Sequence, residues 1–356
     1  MLDLMASSVD LTRVLCDIPS ESGDEKRLAD EVAAALEPYS HLEVIRDGDA
    51  VVARTALGRT RRVIVAGHLD TVPIADNLPT RDVTIESEDY LWGRGTVDMK
   101  AGVAIQLKLA GELTDPVHDV TWIWYDNEEV EASKNGLGRL ARNRPDLLEG
   151  DFAILGEPSN GGIEGGCNGT LRAAVRTRGI RSHSARAWMG ENAIHFAAPI
   201  LQKLAAYTAK TIDVDGLDFR EGLNAVRISG GVAGNVVPDA CEVEVNYRFA
   251  PDKTADEAVA YIRRLFDEYE VEITDLAGGA RPGLDAPLAQ SLVTATGVVP
   301  KPKYGWTDVA RFSELGIPAV NYGPGDGQLA HHDEERVRIS EIEDVEQGLR
   351  GWLTSS

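Results

Sequence analysis

A chain of 356 residues, 43% hydrophobic and 26% charged, has the make-up of a globular protein and room for two domains. Its formal charge of −22 argues against a nonspecific grip on nucleic acid or an anionic membrane, whereas a small anionic substrate needs only a local basic patch. Cys16, Cys167 and Cys241 are too widely spaced for a zinc ribbon or a readable disulfide framework, and no apolar run approaches the roughly 18 residues of a membrane helix. The opening MLDLMASSVDLTRVL has an early aspartate and no basic segment before an apolar core. No signal peptide is therefore expected, and the cytoplasm is the expected compartment.

Taken in chain order, Ser22 and Glu25 read as a capping box opening the helix DEKRLADEVAAAL. Short apolar strands are expected at VVART, RRVIVAG, DVTWIWY and DFAIL, with a helical pattern, MKAGVAIQLKLAGEL, among them. Strands alternating with helices indicate an α/β layer with a mostly parallel sheet. From about residue 171 the pattern changes. The strand TLRAAVRTRG is followed by the helix NAIHFAAPILQKLAAYTA, the strands AVRISGGVAG and ACEVEVNYRFA, the helix TADEAVAYIRRLFDEY and the strand VEITDL. That order, β-α-β-β-α-β, is the signature of a ferredoxin-like α+β unit. After Pro282 the α/β character returns with VARFSELG as helix and PAVNYG as strand. The expected organisation is a catalytic domain at 1–170 and 282–356, interrupted by an inserted domain at 171–281.

Candidate ligands sit just beyond strand ends. His68 and Asp70 follow RRVIVAG, Asp98 precedes a helix, Glu128 and Glu129 follow TWIWY, Glu157 follows FAIL, and His331 comes after PAVNYG. In an open α/β sheet the carboxyl ends of the strands are where ligands bind, so these segments can converge in one cleft. Imidazole and carboxylate are good zinc ligands, and one carboxylate can bridge two ions. Two such ions can hold a hydroxide and polarise a carbonyl, and a spare glutamate from the Glu128-Glu129 pair would act as general base. Asp70 suits a supporting role, fixing the tautomer of His68. Singly, each residue has a plain structural explanation, a solvated acid or a buried histidine; the conjunction carries the argument.

In this order, GHLDTVP, GRGTVDMK, NEEVE, GEPS and AHHDEE resemble the motifs of the M20 family of dinuclear zinc aminoacyl hydrolases. The resemblance covers nearly the whole chain. It implies two Zn2+ ions (Co2+ or Mn2+ being possible occupants), with His68 and Glu157 on the first, Glu129 and His331 on the second and Asp98 bridging. It further implies Glu128 as general base and Asp70 as the residue behind His68. The doubled His331-His332 allows a slip of one, and the family spacing of His followed four positions later by Glu selects His331 with Glu335.

In the insert, RSHSARAWMGENAIH resembles the family's lid motif, with Ala187 replacing the usual proline. It implies that His183 helps stabilise the oxyanion, across a homodimer formed through the insert. Asn235, Arg248 and Thr307 resemble substrate-contacting positions; for Thr307, capping of the following helix is an equal alternative. Arg172, Arg176 and Arg178 share strand parity and could form one basic face for a substrate carrying carboxylates, or a solvated sheet face. EGGCNGTLR and HSARAWMGENAIH resemble the desuccinylases of actinobacterial lysine and cell-wall synthesis, which implies a small anionic acylated amino acid, N-succinyl-L,L-diaminopimelate, as substrate. Acetylornithine deacetylase, aminoacylase or carboxypeptidase activity is the alternative. A nucleotide-binding dehydrogenase is disfavoured because GLGRL and GRGT do not complete GxGxxG after a strand. A non-catalytic scaffold would be expected to have lost ligands that are all present.

Overall fold

The structure, a computed structural model, describes residues 2–355. The chain divides into two compact units. One takes the chain as far as Gly165, together with Pro282–Lys301 and everything from Thr307 on; the other takes Gly166–Arg281 and Pro302–Trp306. Against the expected boundaries, the first junction falls five residues earlier, and a short later segment joins the second unit.

The first unit is built on a mixed sheet. Arg62–His68 runs parallel to Asp119–Tyr125 on one side and to Phe152–Leu155 on the other, and Ala319–Tyr322 runs parallel to Phe152–Leu155. These strands read as nearly unbroken Val, Ile, Leu, Trp and Phe because both faces are covered, as a parallel sheet requires. Antiparallel strands Ala50–Arg54 and Ile163–Gly165 flank them. The register pairs His68 with Tyr125 and Ala66 with Leu155, so the strands end along one edge. Everything that follows each strand end is delivered to that edge.

The helix Lys100–Glu112 lies against these ends, buried along nearly its whole length. Gln106 Nε2 donates to the Ala66 carbonyl oxygen at 2.8 Å. The close approach depends on glycine. A Cβ on Gly102 would sit 2.2 Å from the carbonyl oxygen of Gly156, and one on Gly323 would meet the same oxygen at 2.2 Å. Gly156 immediately precedes Glu157, and Gly102 lies four residues after Asp98, so this seam sets the distance between two candidate ligands.

The second unit is a four-stranded antiparallel sheet in the order Gly222–Gly230, Ala240–Phe249, Gly169–Arg178, Glu270–Ala277, with helices packed on it. Leu171, Val175, Val243, Val245, Ile200 and Phe266 form its core. Numbered along the chain, the strands stand in the spatial order 2-3-1-4, the ferredoxin-like arrangement. Its helix Ala255–Leu265 opens on a capping box between Thr254 and Glu257.

Several expectations are corrected. The helix expected over 192–209 is two helices, Ala193–Phe196 and Ala198–Ala205. Pro199 has no N–H to continue the first and sits in the opening turn of the second. A hairpin of Thr211–Val214 and Leu217–Arg220 was missed. Its signal was the Asp215-Gly216 pair, both at positive φ as a tight two-residue turn demands. The helix Ile339–Thr354 was missed as well, although Ile342, Val345, Leu349, Trp352 and Leu353 lie at helical spacing on its buried face. The segment GLGRL is the start of a helix, Gly136–Asn143, capped by Asn135. Ser22 and Glu25 form no capping box, since the helix Lys26–Leu36 has no side-chain cap. No helix among the described residues is long and apolar enough to cross a membrane.

Gly102→Ala should cost about 1–3 kcal/mol in urea unfolding, because the methyl collides with backbone rather than with a mobile side chain. Helix propensity alone favours alanine by about 1 kcal/mol. Unchanged or increased stability would therefore show that the helix is free to move off the sheet.

Candidate functional site

The strand Arg62–His68 ends on a histidine whose two ring nitrogens have separate tasks. Nδ1–H donates to the Asp70 carbonyl oxygen at 3.0 Å and lies 3.5 Å from Asp70 Oδ1. That acceptor fixes the tautomer and leaves Nε2 facing Asp98 Oδ1 at 3.1 Å and Glu157 Oε1 at 4.0 Å. His68 and Asp70 are both fully buried. Asp70 has a second task. Its Oδ1 accepts the Glu128 N–H at 2.9 Å, and its Oδ2 accepts the Glu129 N–H at 3.0 Å and the Ser22 hydroxyl at 2.7 Å.

Asp98 ends the loop before the buried helix Lys100–Glu112, and the Asp98–Met99 peptide is cis. Its other oxygen, Oδ2, lies 3.3 Å from His331 Nε2, which also reaches Glu129 Oε1 at 2.9 Å. The two histidines thus address opposite oxygens of one carboxylate. His331 stands in the left-handed region, φ 64°, and the next residue turns elsewhere: His332 Nδ1 accepts the Glu334 N–H at 3.1 Å.

Glu335, four residues beyond His331, explains how Asp98 is held. It is buried, and its Oε1 accepts the N–H groups of Val97 at 2.9 Å and Asp98 at 3.1 Å. Its Oε2 accepts Arg94 Nη1 at 2.8 Å. Arg94 also donates to the carbonyl oxygens of Pro73 and His332, tying three loops of the site together. The motif spacing points to Glu335 without giving it a task, and Arg94 lies within GRGTVDMK with no task evident from sequence.

The Glu128-Glu129 loop is fastened at both ends. Arg139 donates to both oxygens of Asp126, and Asn135 Nδ2 donates to the buried Asp308 at 2.9 Å. Gly136 is required because a Cβ there would meet Asp126 Oδ1 at 2.5 Å.

Electrostatically the site is a basin of negative charge. Burial pushes the Glu128 carboxyl well above its ordinary range, with Glu157, Asp308 and Glu129 adding to the rise against the pull of His68. Glu129 is raised by burial and by Asp98. The hydrogen bonds to Asp98 and Glu129 lift His331 to about 10. Burial alone would lower His68, but Asp70, Asp98 and Glu157 outweigh it and hold it well above its usual value. The same histidines hold Asp98 below the carboxylate range against its burial.

Such a basin calls for cations. Ligand atoms of His68, Asp98 and Glu129 lie within 4.8 Å of one another. Among the described residues, Asp98 and Glu129 ion-pair with histidines and with no lysine or arginine. Nitrogen and oxygen donors in this arrangement fit borderline divalent metals, with Asp98 positioned to serve two.

Thr307 is buried and its hydroxyl donates to Asn321 Oδ1 at 3.0 Å; the helix after it has Asp308 at its cap and no side-chain cap bond. On the second unit, His183 Nδ1 accepts the Ala185 N–H at 3.0 Å, so the neutral ring carries its proton on the exposed Nε2. The Asn235 carbonyl oxygen accepts the Ser184 N–H at 2.9 Å, in the same small substructure as His183. Of the two readings of the arginine face, a basic surface for substrate carboxylates or a solvated sheet face, the ion pairs within the sheet argue against the first. Arg172 pairs with Asp275, Arg176 with Glu242, Glu270 and Glu272, and Arg178 with Glu270. Arg248 is different: half-buried, it makes no ion pair among the described residues, and burial lowers its pKa.

The chain belongs to peptidase family M20/M25/M40, whose profile matches residues 64–354. It is 53% identical, over 99% of both chains, to a Mycobacterium tuberculosis protein provisionally named succinyl-diaminopimelate desuccinylase DapE. It is 45% identical, over 99% of this chain and 98% of the other, to the succinyl-diaminopimelate desuccinylase of Corynebacterium glutamicum. Its fold is similar to that of the YXEP protein of Bacillus subtilis, described as a dinuclear metal binding peptidase. That match has a TM-score of 0.70 at 17% identity and covers 97% of this chain and 96% of the other.

Glu335→Gln leaves the buried Arg94 without its counter-charge, and breaking such a pair typically costs about 3–5 kcal/mol. The variant should unfold at correspondingly lower urea and bind metal about 10–100-fold more weakly. Normal metal affinity would show that Asp98 does not depend on Glu335.

Proposed function

We propose that this protein is a metal-dependent amide hydrolase that converts N-succinyl-L,L-2,6-diaminopimelate and water to succinate and L,L-2,6-diaminopimelate. The observation that carries the hydrolytic reading is Asp98 shared between His68 and His331, with Glu128 on the adjoining loop. The choice of substrate rests on the two full-length relatives named for that reaction.

We assign His68 and Glu157 to one ion, Glu129 and His331 to a second, and Asp98 to both, with zinc as the metal and cobalt as a competent substitute. When bound, the metal pair supplies positive charge that acidifies water and stabilises a developing oxyanion. Glu128 takes the proton of the attacking water and later delivers it to the leaving amine. Its burial favours this exchange, because a carboxylate pushed above its ordinary range is closer to neutrality in proton affinity. Asp70 keeps His68 in one tautomer and holds the Glu128 and Glu129 amides. His183 offers its Nε2–H to the oxyanion, a task suited to a ring whose Nδ1 is already an acceptor. Arg248, with no ion pair of its own, is assigned to a substrate carboxylate, with Asn235 and Thr307 as further contacts.

A homodimer through the second unit is part of this proposal. Gly222–Gly230 is an edge strand of that unit's sheet and exposes Val226 and Ile228, an arrangement suited to pairing with a second copy. Cys16, Cys167 and Cys241 are buried and form no disulfide among the described residues, in keeping with a cytoplasmic setting.

The test is hydrolysis of N-succinyl-L,L-diaminopimelate beside N-acetylornithine, with zinc-loaded and chelator-stripped protein. Zinc-dependent release of succinate with little acetate is expected; preference for acetylornithine would overturn the substrate, and no turnover of either would overturn the function. Glu128→Gln should lower kcat by about 10²–10⁴-fold with metal content intact. Near-normal activity would remove Glu128 as the base.

A further inference from the structure

Glu25 is a buried carboxylate with no cationic partner among the described residues. Burying such a group without hydrogen bonds is costly, and its bonds show what it is for. Its Oε1 accepts the N–H of Gly23 at 2.9 Å and, 102 residues further along the chain, the N–H of Asn127 at 3.0 Å. Asn127 stands directly before Glu128 in the left-handed region, φ 57°. The next two amides, Glu128 and Glu129, go to Asp70. Three consecutive backbone N–H groups of the loop are therefore received by two carboxylates from two separate segments.

The segment carrying Glu25 is itself fastened to the strand end. The Thr71 N–H donates to the Ser20 carbonyl oxygen and the Ser22 N–H to that of Thr71. Ser20 Oγ donates to the Leu69 carbonyl oxygen at 2.7 Å, Glu21 Oε1 accepts the Ile74 N–H at 2.8 Å, and Ser22 Oγ donates to Asp70 Oδ2 at 2.7 Å. Segment 20–25 runs alongside 69–74 as a strap, and Glu25 is its reach to the opposite loop.

We propose that Glu25 is a positioning residue: from the strap it grips the Asn127 amide and so sets the direction in which the loop presents Glu128. This rests on the reading of Glu128 as the base. The consequence is for turnover, since a base displaced by a fraction of an ångström loses rate without changing how the substrate is held.

The experiment compares full-length wild type with Glu25→Ala, Glu25→Asp and Glu25→Gln. It measures kcat and KM on N-succinyl-L,L-diaminopimelate, metal content, melting temperature and amide hydrogen exchange of residues 126–129 in metal-free and zinc-loaded protein. Glu25→Ala should lower kcat about 10–100-fold, with KM within about twofold, metal content unchanged and faster exchange at 126–129. Glu25→Asp keeps the charge but draws the oxygen back by one methylene. It should fall with alanine, and it carries the test if the alanine variant does not fold. Glu25→Gln keeps an acceptor oxygen at the same reach and should recover most of kcat and of the protection. Unchanged kcat or exchange in both Ala and Asp variants would overturn the proposal. So would a loss of activity that only follows lost metal or lost folding, or a Gln variant as impaired as Ala. If wild type hydrolyses no acylated substrate, the functional reading fails separately, and the exchange comparison alone decides whether Glu25 grips the loop.

Discussion

The carboxylate of Asp98, with one oxygen turned to His68 and the other to His331, is the arrangement on which the rest of the site depends. It brings together the end of a central strand and a loop more than 200 residues later in the chain. Neither histidine finds Asp98 by itself. His68 is aimed by Asp70, Asp98 is held through its own amide by Glu335, and Glu335 is fixed by Arg94. Each support is a charged or strongly polar group buried with its hydrogen bonds made, so loosening one leaves the others with unmet demands.

The fold supplies what side chains alone cannot. Parallel strands ending in register deliver Asp70, Glu128, Glu129 and Glu157 to one edge, and the glycine seam lets the helix behind Asp98 approach to backbone contact. Burial, together with the neighbouring carboxylates, raises the proton affinity of Glu128 and Glu129, and the carboxylates raise that of both histidines. A divalent cation entering such a site would displace protons from these groups, so its binding would be coupled to proton release.

Much of this was legible in the sequence. Strand ends followed by His, Asp or Glu carry the architecture and the candidate ligands because apolar runs and their terminators are local signals. The supports were harder to see. Glu25 sits one residue before a helix, where an acidic side chain ordinarily caps, and nothing local reveals that its oxygen is claimed by Asn127. Arg94 is one more charge in a glycine-rich loop until Glu335 is brought to it from 241 residues away. The arginine strand was open to two readings for the complementary reason. Parity correctly grouped Arg172, Arg176 and Arg178, but the acids that neutralise them lie on neighbouring strands, and the pairing register is a tertiary fact. Arg248, on the next strand, makes no ion pair among the described residues.

The most direct test of the account is anomalous diffraction from crystals of the zinc-loaded protein. It predicts two zinc peaks, one beside His68 and Glu157 and one beside Glu129 and His331, with the Asp98 carboxylate between them. A single peak, or zinc bound away from Asp98, would contradict the shared carboxylate and the dinuclear reading built on it.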